Sequence, residues 1–106
     1  MIDDSGVFYV HRQRIFDFAA ARRLPAMYSS REVSDRGGLM SYGPSLAESY
    51  RRLAGYVDRI LRGARPADLP IEQPTRLELV INRRVARALG LELSRTLLLR
   101  ADEVVD

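Results

Sequence analysis

The chain has no cysteine, no lysine and a single histidine in its 106 residues. Without cysteine there is no disulfide and no thiolate metal site. His11 has no second histidine with which to complete a metal site, so it is expected to be a surface or capping residue at a helix start. All 17 basic residues are arginine, and the formal net charge is +3. A nucleic-acid-binding face would cluster its arginines with interleaved aromatics. Here they are scattered, often beside acids, as in Arg31-Glu32, Asp35-Arg36 and Asp58-Arg59. This is the pattern of a solvated charged surface, and no nucleic-acid partner is expected. No apolar run approaches the ~20 residues that a membrane-spanning helix needs.

Catalytic patterns are missing too. The serines at 5, 29, 30 and 41 lack the G-x-S-x-G context of a hydrolase nucleophile. Gly37-Gly38 is not followed by the lysine and hydroxyl of a phosphate loop, and it precedes a strand rather than a helix. Asp3-Asp4 and Asp102-Glu103 place carboxylates together, but near the chain ends, where solvated charge is the plain expectation. The chain therefore reads as no enzyme, with no cofactor and no metal.

What is present is a folded domain. Hydrophobic residues make up 46% of the chain, enough for one core at this length. Val10 to Arg23 reads as a helix with Ile15, Phe18 and Ala19 on one face, ended by Pro25. Ala26-Met27-Tyr28 reads as a short buried strand, and Ser29-Ser30-Arg31-Glu32 as the loop after it. Gly38 to Tyr42 is the next strand.

Leu46 to Arg62 is the clearest helix. Leu46, Tyr50, Leu53, Val57 and Ile60 recur at helical spacing, Ser45 and Glu48 form an S-x-x-E capping box, and Gly63 supplies the stop. Pro66, Pro70 and Pro74 make the next stretch an extended crossing. Leu77, Leu79 and Ile81 alternate with Arg76, Glu78 and Val80 as a half-buried strand. Asn82 caps a short helix from Arg83 to Leu89, closed by Gly90. Alternation of this kind indicates an α/β fold with a largely parallel sheet and flanking helices.

The order and spacing of several stretches carry more than any one of them. Gly37-Gly38-Leu39-Met40-Ser41-Tyr42-Gly43-Pro44 precedes the amphipathic helix, and Asp68-Leu69-Pro70-Ile71-Glu72-Gln73-Pro74-Thr75 follows it. Leu77 to Asn82, Ala88-Leu89-Gly90-Leu91 and Leu99 to Val104 complete the series. From about Gly6 to Asp106 this resembles the C-terminal part of the substrate-binding proteins of ABC transporters, in the branch linked to amino-acid-like ligands. The resemblance implies a partial periplasmic-binding-protein-like fold and a solute-binding role beside a membrane permease. It also implies a periplasmic or membrane-anchored location. Members of the family are two-lobed and begin with an export signal. Met1 to Gly6 has neither a basic leader nor an apolar run, so this chain is expected to be a C-terminal fragment that as it stands would be cytoplasmic.

Within that resemblance, residues 7–40 are expected in the C-terminal lobe, 41–44 as a hinge crossing, and 45–106 as a return to the N-terminal lobe. The expected ligand-binding residues are Phe8, in the loop before the first helix, Tyr28, Ser29, Arg31 and Glu32 at the end of one strand, and Ser41 and Tyr42 at the end of the next. Ligands of open α/β sheets meet such strand ends. Aromatic walls with hydroxyls, an arginine and a carboxylate suit a zwitterionic amino acid or a small organic acid. Two other readings compete: a ligand-sensing regulatory module, and a self-associating structural remnant. A piece divided between two lobes leaves apolar faces and strand edges open, so a homodimer or higher oligomer is expected.

Overall fold

The computed structural model describes residues 1–2 and 5–106. The pair Asp3-Asp4, read above as neighbouring carboxylates, lies outside the described residues. In chain order the elements are α1 (Gly6–Val10), α2 (Arg12–Ala21), β1 (Met27–Tyr28), α3 (Arg31–Asp35), β2 (Met40–Pro44), α4 (Leu46–Leu61), a 3-10 turn (Pro66–Asp68), β3 (Leu77–Asn82), α5 (Arg83–Leu89), α6 (Arg95–Arg100) and β4 (Glu103–Val105). The four strands lie in sequence order in one sheet. The β1–β2 and β3–β4 pairings are parallel, and the central β2–β3 pairing is antiparallel.

Cross-strand partners share a face of a sheet. Tyr28, Ser41, Val80 and Glu103 are successive partners and so form one row. Helix α3 covers that row, burying Val33 and Ser34 and reaching Glu103 with Arg31. Phe16 of α2 meets Tyr28 edge-on at 5.5 Å and, with Val33, makes the first core cluster. A second cluster joins Leu39, Ala86 and Leu89, with Met40 and Val85 against it. Asn82 ties the layers together: its Oδ1 accepts from the Val85 N–H and caps α5, while its Nδ2 donates to the Ser34 carbonyl.

Several local expectations change. The stretch Ser29 to Glu32 is not a loop throughout, because Arg31 starts α3. Five residues nucleate poorly alone, and this turn is held by the burial of Val33 and Ser34. The helix expected over 10–23 is two helices, α1 and α2, meeting at His11 with φ −96° and ψ 14°. Gly6-Val7-Phe8-Tyr9, expected as a loop, is most of α1. Pro25 does not end α2. The helix stops at Ala21, and the N–H groups of Arg23 and Leu24 then bond the carbonyls of Ala20 and Ala19, with Arg23 left-handed at φ 52°. That is the Schellman arrangement.

Helix α4 is present as expected, and Ser45 Oγ accepts from the Glu48 N–H. The reciprocal half of the box is not made, because the Glu48 carboxylate pairs instead with Arg52 at 3.0 Å. Residues 41–44, expected as a crossing, are most of β2 and pair along their length with residues 77–80. Strands β3 and β4 thus complete the same sheet as β1 and β2, and residues 45–76, with α4 and the 3-10 turn, connect β2 to β3. The molecule measures 55 × 32 × 18 Å. Among the described residues no helix is long and apolar enough to cross a membrane.

Candidate functional site

Most of the residues expected at the strand ends lie where β1 passes into α3 beside β2. Tyr28 and Ser41 stand opposite one another in the β1–β2 register. Farther along, the chain at Ser29 crowds against β2: a Cβ at Gly43 would overlap the Ser29 carbonyl. Only a residue without a side chain fits that approach. Ser41 is buried, and the hydroxyls of Ser29, Ser34 and Ser41 are all enclosed with no hydrogen-bond partner among the described residues. A buried hydroxyl without a partner is costly and uncommon. Three of them, on β1's end, on α3 and on β2, are the polar anomaly of the fold.

Arg31 opens α3. Its Nη1 and Nη2 meet the two Glu103 oxygens at 2.7 and 2.8 Å, and its Nε meets Asp35 at 3.4 Å. The hydrogen bond to Glu103 is the main cause that raises the guanidinium pKa, with the Glu103 and Asp35 charges adding to it. Glu32 is half-buried on the same first turn of α3. Tyr42 follows Ser41 on β2 and therefore points to the opposite face; it is 44% exposed.

Tyr28 and Ser41 are thus cross-strand partners near the start of β2, and Ser29, Arg31 and Glu32 follow β1 into the first turn of α3. Two of the expected residues stand apart. Phe8 lies in a surface cleft of α1 and α2 with Val7, His11, Arg14, Ile15 and Phe18, and Tyr42 is on the other face. Tyr28 is a core residue, 3% exposed, and burial raises its phenol pKa. Asp102 and Glu103, read as neighbouring carboxylates, bind separate arginines: Asp102 meets Arg76 at 3.4 Å and Glu103 meets Arg31.

One concave feature was not foreseen. A groove of about 180 Å³ runs between α4 and the crossing that ends in Pro74-Thr75-Arg76. Arg52 spans it, bonding Glu48, the Gln73 carbonyl at 3.3 Å and Thr75 Oγ1 at 3.4 Å. Farther along, the Tyr56 hydroxyl donates to the Pro70 carbonyl. Its walls come from two separate stretches with no shared motif. The one local signal is the Glu48–Arg52 pair four residues apart on a helix.

The fold recurs in solved structures. A conserved domain protein from Vibrio cholerae superposes with a TM-score of 0.88 at 24% identity, over 96% of this chain and 34% of that one. The ABC domain from Streptococcus pneumoniae in complex with L-Trp gives 0.83 at 22% identity, over 92% of this chain and 34% of that one. The ligand-free, open form of a substrate-binding protein with adhesive properties from Clostridium difficile gives 0.66 at 16%, over 97% and 34%. The chain therefore spans about a third of the length of these proteins. No curated protein matches it. The profile described as "ABC transporter substrate binding protein" matches residues 7–105, nearly the whole chain. The mixed α/β sheet, its flanking helices and that match agree: the chain belongs to the ABC transporter substrate-binding protein family.

Proposed function

We propose that the chain is a part of the solute-binding component of an ABC-type uptake transporter and contributes one wall of a site for a small, amino-acid-like ligand. The observation that carries this reading is the match of residues 7–105 to the substrate-binding protein family, with Arg31 and Glu32 side by side on the first turn of α3 just past the end of β1. A guanidinium and a carboxylate there match the two charges of a zwitterion. The Streptococcus pneumoniae structure holds L-Trp, which supports an amino acid as the first ligand to test.

On this reading a membrane permease is the partner, and the protein acts in the periplasm or anchored to the membrane. The role is binding without catalysis. Residues 45–76, which connect β2 to β3, would belong to the second lobe, and the remainder to the first. The two junctions, near Pro44-Ser45 and Thr75-Arg76, would form the hinge. Cleft closure at such a hinge concentrates its backbone change in a few residues.

The test is calorimetry with L-tryptophan and a panel of other zwitterionic amino acids, in a chain carrying both lobes. Arg31→Ala should cost about 1.5–3 kcal/mol, roughly 10- to 150-fold in affinity. Unchanged affinity in that variant would remove Arg31 from the site. Failure of the whole panel to bind would overturn the amino-acid reading.

A further inference from the structure

Arg31 is already engaged within the chain. A guanidinium presents two edges that can each take a carboxylate through a pair of N–H groups, one formed by Nη1 and Nη2, the other by Nε with its neighbouring Nη. Glu103 of β4 takes the first edge with both oxygens, at 2.7 and 2.8 Å. Asp35, one turn along α3, reaches the second edge with a single oxygen, 3.4 Å from Nε. Charge-assisted bonds of this type run at about 2.7–2.9 Å, so the Asp35 contact is a long one. A ligand carboxylate thus finds no free edge on Arg31, and one of the two acids must give way.

The two acids are held unequally. Glu103 opens β4, is registered opposite Val80 in the sheet, and ties together segments 72 residues apart. Asp35 is the last residue of α3, where the helix dipole disfavours a negative charge. Arg31 is its one ion-pair partner among the described residues. An exposed pair four residues apart on a helix is weak. Both contacts lie in the part of the chain assigned to one lobe, so neither depends on what a second lobe adds.

We propose that Asp35 is the internal competitor of the ligand's carboxylate: the ligand displaces it from the Nε edge of Arg31, while Glu103 keeps the other edge and fixes the plane of the guanidinium. This inference rests on the reading of Arg31 as a ligand contact and assigns the edge that does the recognition. A carboxylate bringing two oxygens to the Nε edge makes two short bonds in place of one long one. The tie between α3 and β4 is left intact. Asp35 thereby acts on specificity. A ligand whose carboxyl group is replaced by a neutral amide brings no charge to take the place of Asp35, and leaves the pair closed.

Asp35→Asn and Glu103→Gln each remove one negative charge beside Arg31, and Glu103 is the closer of the two. If the acids acted on the ligand by through-space repulsion alone, Glu103→Gln would give the larger gain in affinity. Displacement at the Nε edge predicts the reverse order. The measurement is calorimetry in a chain carrying both lobes, with L-tryptophan, or the panel member that binds in its place, and with the carboxamide of the same amino acid. Asp35→Asn should tighten the amino acid about two- to five-fold, and Glu103→Gln should tighten it less or weaken it. The carboxamide should gain nothing from Asp35→Asn. Nor should the amino acid gain when Asp35→Asn is added to Arg31→Ala. Circular dichroism should show both single variants folded; the comparison of acid with amide in Asp35→Asn stands even if Glu103→Gln does not fold. A larger gain in Glu103→Gln, an equal gain for acid and amide, or no gain in Asp35→Asn would each overturn this inference and leave the ligand reading standing. Unchanged affinity in Arg31→Ala would overturn both.

Discussion

Arg23 holds a left-handed backbone, φ 52°, at the end of α2. In the same position after α3, α4 and α5 stand Gly37, Gly63 and Gly90, each with positive φ. Glycine carries no Cβ penalty there, whereas an L side chain is strained. Arg23→Gly should therefore stabilise the chain by about 0.5–1 kcal/mol, read as a higher urea midpoint. A lower midpoint would mean that the arginine side chain makes a compensating contact. Asp102 offers a second single-residue test. Its carboxylate accepts from the Leu79 N–H at 2.8 Å, and this bond is the main cause holding its pKa below the ordinary carboxylate value; Arg76 adds to it. The folded pKa is thus below the unfolded one. The associated stability is present above the unfolded carboxylate pKa and is lost as pH falls through the folded one. Asp102→Asn should shrink the acid-dependent part of the unfolding free energy. If the variant and the parent chain lose stability equally between neutral and acid pH, the bond to Leu79 is not what sets that pKa.

At the scale of elements, α4 and α3 show opposite sources of order. Helix α4 was legible because 16 residues of regular apolar spacing, a serine cap and a terminal glycine all agree locally. Ser45→Ala should cost about 1 kcal/mol, detectable as lost helicity on mild heating; unchanged helicity would show that the cap contributes little. Helix α3 carries no such local signal: its five residues begin after Ser30, whose side chain makes no capping bond. It forms because Val33 and Ser34 sink onto the sheet and Arg31 grips Glu103, 72 residues away. The same distance hid the candidate site. The sequence pointed to Ser29, Arg31 and Ser41, but nothing local could show that Tyr28 would be spent on Phe16 or that Arg31 would already have a carboxylate. Strand β2 illustrates a third case. Gly43 admits the Ser29 carbonyl against it. Gly43→Ala would force the two strands apart, so a loss of several kcal/mol or failure to fold is expected, as for other overpacked positions.

At the scale of the whole molecule, the chain divides into a sheet with its own two core clusters and an arm, residues 45–76, that is mostly surface. The ligand reading makes a demand at this scale, because a wall at one sheet end encloses a small molecule only when a second surface closes over it.

The sequence by itself determined the elements whose signals are local: α4 and its cap, α5 between Asn82 and Gly90, the positions of β1 to β3, and the order of motifs that marks the family. These follow from periodicity and backbone chemistry within a few residues. The tertiary structure alone decided that β2 and β3 run antiparallel, that residues 77–105 rejoin the sheet left at residue 44, and that Tyr28 is core while Phe8 stands apart. It also decided that the amphipathic face of α4 is left half-exposed, with none of its residues buried by the rest of the described chain. Each of these depends on which surfaces far apart in sequence come together, and periodicity states only that a face is apolar, never what will cover it.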